Sequence, residues 1–172
     1  YGKYKTCTFM KGIFILSNKF NFRVDTKPGV WDKRFLKVAA EIATWSKDPS
    51  TKVGAIAVKD KKVIAQGYNG FPKGINDLSD RYNNRETKYK YIVHAEMNVI
   101  YNAAENGVSL RGSEMYVYGL PACSDCARGI IQVGVNRVIM PTQELPDKWK
   151  KSWEMTVEMF DEAGVVWNFI KL

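Results

Sequence analysis

The chain contains one histidine, His94, and three cysteines, two of which form the short run Cys123-Ser124-Asp125-Cys126. One imidazole and two thiolates make a donor set suited to zinc. Three protein ligands leave the fourth tetrahedral position open to water, as in catalytic rather than structural zinc sites. Zinc can lower the pKa of water from about 16 to about 7. Glu96 stands two residues beyond His94, too close along the chain to share the same metal easily, and is therefore free to take and return protons. The chemistry these four residues could perform together is hydrolysis.

Such residues need elements to hold them, and the sequence supplies a consistent set. Trp31 to Ser46 predicts a first helix, with Phe35, Val38, Ala39, Ile42 and Trp45 on one apolar face. Pro49 ends it. Val53 to Val58, apolar on both faces, predicts a central strand. A turn at Asp60-Lys61-Lys62 leads to an antiparallel strand over Val63 to Tyr68. Gly70 to Val93 shows no clear periodicity and is longer than an ordinary connection, which suggests a functional loop. Ala95 to Glu105 predicts a helix with a Met97, Ile100, Tyr101 and Ala104 stripe, stopped by Asn106-Gly107. Strands over Glu114 to Tyr118, Val135 to Met140 and Val165 to Ile170 alternate with helices over Ser124 to Val133 and Lys150 to Ala163. That alternation implies parallel pairing with right-handed crossovers. The expected fold is α/β, a three-layer α/β/α sandwich around a mixed five-stranded sheet. Both motif stretches then fall at helix N-termini, whose partial positive charge favours thiolate over thiol. Trp45, Trp153 and Phe160 are expected in the core.

At 172 residues the chain can bury one good core. No apolar run approaches the roughly 20 residues of a membrane span, so no membrane partner is expected. The net charge of +8 is unevenly placed: residues 1–29 carry +5, and the remaining 143 only +3. Nucleic-acid binding needs basicity clustered on a surface, and this distribution argues against it. Residues 1–27 are expected to be an N-terminal extension or added tail, able to contribute an edge strand at Thr8-Phe9 and Ile13 to Leu16. Residues 28–172 would form the catalytic domain. Three cysteines, with Cys7 left over, do not make a disulfide framework, and a reducing cytoplasmic setting is expected (a host's cytoplasm if the source is viral).

His-x-Glu followed by Cys-x-x-Cys is a signature of zinc-dependent nucleobase deaminases. The chain resembles the deoxycytidylate (dCMP) deaminases of the cytidine deaminase superfamily. The resembling stretches are Ser46-Lys47-Asp48-Pro49-Ser50, Val53-Gly54-Ala55, Gly67 to Gly74, His94-Ala95-Glu96-Met97-Asn98, and Cys123-Ser124-Asp125-Cys126-Ala127 with Ile130-Ile131-Gln132. Together they span about residues 31–170. The resemblance implies a cytidine deaminase-like fold and hydrolysis of dCMP to dUMP and ammonia. It implies zinc on His94, Cys123 and Cys126, with Glu96 as proton shuttle. Asn69 would bond the sugar, Ser46, Lys47 and Ser50, with Lys52, would lie near the phosphate, and Ala95 and Pro121 would face the substrate. It further implies a homo-oligomer, with a hexamer favoured. dCTP would activate and dTTP inhibit through an effector site at Tyr68, Gly70, Phe71 and Lys73, with Mg2+ accompanying a triphosphate. One departure stands out: Ala122 separates Pro121 from Cys123, where the family usually joins the proline directly to the first cysteine.

Blander readings compete with several of these. Cys-x-x-Cys could be a redox pair, which leaves His94 and Glu96 unexplained. Asn69-Gly70 is an ordinary turn dipeptide, Lys47 is by default a solvated charge, and Arg81, Arg85, Lys88 and Lys90 read as solvated loop charges, with a contact from one of them to a nucleotide phosphate as the alternative. Tyr118 reads as strand packing. Two other functions remain open at this point: a deaminase of tRNA or single-stranded nucleic acid, and a non-catalytic zinc-stabilised binding module.

Overall fold

The computed structural model describes residues 8–10, 13–15 and 29–172. Thr8–Met10 (β1) and Ile13–Ile15 (β2) pair antiparallel as a separate two-stranded sheet rather than extending the main one. Cys7 and the rest of the expected extension lie outside the described residues. The main sheet comprises β3 (Gly54–Lys59), β4 (Lys62–Tyr68), β5 (Glu114–Tyr118), β6 (Arg137–Pro141) and β7 (Val166–Ile170), in the order β4-β3-β5-β6-β7. β3 runs antiparallel to both neighbours, whereas β5, β6 and β7 are parallel. The mixed five-stranded sheet is therefore as expected.

Alternation along the strands divides the core in two. Ile56 and Val58, Tyr116, and Ile139 pack with Phe35, Leu36, Ala39 and Ile42 of α1 (Val30–Thr44) on one face. Ala55 and Ala57, Met115 and Val117, and Val138 and Met140 turn to the other face. There they meet α4 (Ala95–Glu105), α5 (Ser124–Gln132) and α6 (Asp147–Ala163), with Trp153 and Phe160 buried as predicted.

Three expectations need correcting. On α1, Val38 and Trp45 are exposed, at 39% and 47%, the indole lying edge-on to Tyr68 at 6.2 Å just past the helix end at Thr44; Leu36 and Ala43 occupy the core instead. The stripe of α4 is also shifted. Ala95, Val99 and Ala103 face the sheet, Met97 and Ile100 are only half-buried, and Ala104 and Tyr101 are exposed, Tyr101 at 54%. Small residues are required there because α4 rests directly on the backbone of β4: a Cβ on Gly67 would lie 2.6 Å from the Ala95 carbonyl and the Val99 nitrogen. The large side chains drew the sequence pattern to the wrong face.

The third correction concerns residues 70–93, which hold two short helices, α2 (Ser79–Asn83) and α3 (Arg85–Tyr91). Neither is long enough to show a period. Asn84 caps α3 by accepting from the Thr87 N–H at 2.9 Å. Phe71 stacks on Tyr82 at 4.1 Å and closes the segment on itself.

Candidate active site

His94 is the N-cap of α4 and Cys123 the N-cap of α5, with Cys126 in the first turn of α5. A two-way bridge between Gly70 and Val93 (N···O 3.1 and 2.8 Å) fixes the backbone just ahead of His94. Asn98 and Asn102 then pin α4 to β4 by donating to the carbonyls of Tyr68 and Gln66, each at 2.7 Å. α5 starts beyond the C-terminal end of β5, so two helix N-termini converge on one point.

At that point the imidazole Nδ1 of His94 lies 3.3 Å from Cys123 Sγ and 3.4 Å from Cys126 Sγ. All three candidate ligand atoms fall within 4.8 Å of one another. Ordinary zinc–sulfur and zinc–nitrogen bonds at a tetrahedral angle separate such atoms by about 3.5 Å. The donor types and their spacing therefore both fit zinc. The three groups are strongly coupled through their mutual hydrogen bonds. The hydrogen bond from Cys126, together with that from His94, holds the Cys123 thiol down to about 4, despite burial. The bond to Cys123 lifts His94 to about 9, against the opposing effect of burial. The bond that Cys126 gives to Cys123, together with burial, pushes the Cys126 thiol up, so a metal ion bound here would displace protons from both His94 and Cys126. Glu96 is buried beside them, and burial raises its carboxyl above the ordinary range despite the nearby imidazolium.

A cleft of about 260 Å³ opens over this cluster. His94, Ala95, Glu96, Cys123 and Pro121 line it, as do Asn69 and Ser50. The other expected contacts are elsewhere. Ser46 is buried, with its hydroxyl donating to the Asn69 carbonyl at 2.7 Å. Lys47 has a 68% exposed side chain paired with Asp77, and Lys52 bonds the Thr44 carbonyl; neither lines the cleft. The Asn69 side chain is already engaged. Its Oδ1 accepts from the Val53 N–H at 2.8 Å and its Nδ2 donates to the Thr51 carbonyl at 2.8 Å. Among the residues expected at an effector site, none lines the cleft: Tyr68 packs on Trp45, Gly70 bridges Val93, Phe71 stacks on Tyr82 and Lys73 pairs with Glu105.

The cleft also contains residues that sequence reasoning passed over. Lys88, read as a solvated charge, has a 12% exposed side chain and pairs with Asp48, whose side chain is 2% exposed. Its ammonium lies 2.7 Å from Asp48 Oδ2 and donates to Ser50 Oγ at 2.6 Å. Burial would push the Asp48 carboxyl up, but bonds from Lys88, Ser50 and Thr51 outweigh it and hold the group below the ordinary carboxylate range. Asp-Pro-Ser offered a signal, since an aspartate before such a turn commonly accepts from the N–H two residues on. It does so here, from Ser50 at 2.9 Å. Lys148 and Trp149, at the start of α6, and Tyr89, on α3, complete the rim without any local sequence signal. The inserted Ala122 is buried, and its carbonyl accepts from Thr156 Oγ1 at 3.1 Å.

Comparison with known proteins places this geometry. The chain is 38% identical over 144 residues to an uncharacterised deaminase of the luxG 3' region of Aliivibrio fischeri, covering 83% of this chain and 95% of that protein. It is 39% identical over 146 residues to the human deoxycytidylate deaminase, covering 80% and 78%. The crystal structure of a dCMP deaminase from the cyanophage S-TIM5, in complex with dCMP and dUMP, matches with a TM-score of 0.64 at 26% identity, over 80% of this chain and 95% of that one. Residues 30–142 match the model of the cytidine and deoxycytidylate deaminase zinc-binding region, a span that includes His94, Cys123 and Cys126, and the chain belongs to that family of deaminases.

Proposed function

We propose that this enzyme is a zinc-dependent dCMP deaminase, converting dCMP and water to dUMP and ammonia. The observation that carries the reading is the convergence of His94, Cys123 and Cys126 beside a buried Glu96 at the base of a cleft. The substrate follows from relatives named deoxycytidylate deaminase and from the cyanophage enzyme, whose structure holds dCMP and dUMP.

His94 and the two cysteine thiolates would hold zinc, whose Lewis acidity would make hydroxide available at neutral pH. Glu96 accepts the proton lost by the attacking water and delivers it to the ring nitrogen beside the carbon under attack. It then takes the hydroxyl proton of the tetrahedral carbon and gives it to the departing amine. Ammonia leaves, and a carbonyl remains on the ring. A carboxyl lifted by burial suits this double task, because one group must act as base and then as acid near neutral pH. Pro121 and Ala95 wall the base, and Asn69 offers its remaining lone pair to the sugar. Ser50, Lys88 and Lys148 are the hydroxyl and ammonium groups of the cleft that suit the 5'-phosphate, in place of Ser46 and Lys47. Activation by dCTP with Mg2+, inhibition by dTTP and assembly into a hexamer extend the same reading from the family resemblance.

The test compares ammonia release from dCMP and from deoxycytidine by the zinc-loaded enzyme. Much faster release from dCMP supports the reading, and equal kcat/KM on the nucleoside overturns the phosphate assignment. Adding dCTP, then dTTP, to the same assay tests regulation; no response to either rejects it.

A further inference from the structure

Cys123 is the N-cap of α5, yet its side chain makes no capping bond to the helix, because the sulfur faces His94 and Cys126. Two hydroxyls of α6 serve the backbone on either side of it. The Ser124 N–H donates to Ser152 Oγ at 2.9 Å, and the Ser124 and Ser152 hydroxyls share a second bond at 3.1 Å. Thr156 Oγ1 contacts the Ala122 carbonyl at 3.1 Å. Thr156 is fully buried, and it also reaches the Ser152 carbonyl of its own helix at 3.0 Å.

The geometry points to Ser152 and Thr156 as positioning residues that set the metal affinity of Cys123. The two peptide groups they hold are the ones that define φ and ψ of Cys123, which are −78° and 167°. Holding those two peptide planes fixes where the Cα–Cβ bond points, and with it the arc of positions that rotation about that bond gives the sulfur. Ser152 and Thr156 are four residues apart, so they lie on one face of α6 and grip the cysteine from one side. A thiolate aimed in advance binds metal without first ordering its own backbone, and groups that orient ligands in this way are commonly worth 10- to 100-fold in metal affinity. The hydroxyls also explain how Ala122 is tolerated: its carbonyl has a buried partner, and its methyl packs in the core.

This inference rests on the zinc reading, and the experiment separates the two. Metal affinity is measured by competition with a chromophoric chelator for wild type, S152A, T156V and T156S, together with the thiolate-to-cobalt absorption of the Co2+-loaded proteins. Thermal unfolding of the same samples records stability. Failure of wild type to take up one Zn2+ or Co2+ per chain overturns the zinc reading itself. With wild type binding, S152A and T156V are expected to bind Zn2+ about 10- to 100-fold more weakly and to shift the cobalt spectrum, whereas T156S, which keeps the hydroxyl, stays close to wild type. Variants that lose stability but keep wild-type affinity and an unchanged spectrum would show a purely structural role and overturn the inference. So would a T156S that binds as weakly as T156V.

Discussion

Replacing Lys88 with methionine tests how the helical segment between β4 and α4 is tied to the site. Asp48 receives Lys88 at 2.8 and 2.7 Å, the Ser50 N–H at 2.9 Å, the Ser50 hydroxyl at 2.8 Å and the Thr51 N–H at 3.2 Å. Leaving a buried charge without its partner costs about 3–5 kcal/mol. The three Ser50 and Thr51 donors survive in K88M and soften that loss, so about 2–3 kcal/mol is expected at neutral pH. For a chain of this size that corresponds to a melting temperature lower by about 4–12 °C. The pH dependence has a definite sign. In the wild type the Asp48 carboxyl is depressed, so its stabilising contribution is present above the unfolded-state value of about 4 and is lost as pH falls through the folded-state value. In K88M the lost ammonium lets the carboxyl rise relative to wild type, so the penalty fades as the pH drops and a proton binds. Urea unfolding of metal-saturated wild type and K88M, at one fixed metal concentration from neutral pH to about 4, reads both effects. A loss under about 0.5 kcal/mol, or a gap that does not narrow on acidification, would refute the argument.

Two further changes probe the site itself. E96Q should keep one zinc per chain while kcat falls by roughly 10²- to 10⁴-fold, read by ammonia release beside metal analysis; near-normal turnover would remove Glu96 from the proton path. G67A forces a methyl against the Ala95 carbonyl and the Val99 nitrogen at the start of α4, a rigid backbone contact. It should cost about 1–3 kcal/mol in urea unfolding and weaken zinc binding through His94, whereas unchanged values would mean that α4 can shift freely.

The candidate metal cluster was legible because its donors are scarce: one histidine and one Cys-x-x-Cys leave little choice of partners. The strands were legible because both core faces are written in period two, as in Met115-Tyr116-Val117. What stayed hidden depends on residues brought together from afar. Lys88 and Asp48 are separated by 40 positions, and nothing local distinguishes Lys88 from Lys90, which pairs with Glu86 on the surface. Ser152 and Thr156 likewise look like ordinary polar residues until α6 is laid against the start of α5. The stripe of α4 is hard to read because bulk ordinarily marks burial, whereas contact with the β4 backbone demands small side chains.

The proposed function makes turnover of dCMP depend on a metal held by His94, Cys123 and Cys126. The most direct measurement removes the metal with a chelator, quantifies what remains and follows ammonia release from dCMP before and after zinc is restored. Activity should track bound zinc, lost with the metal and recovered at one equivalent per chain. Full activity in protein retaining less than about a tenth of an equivalent of metal would contradict the proposed function.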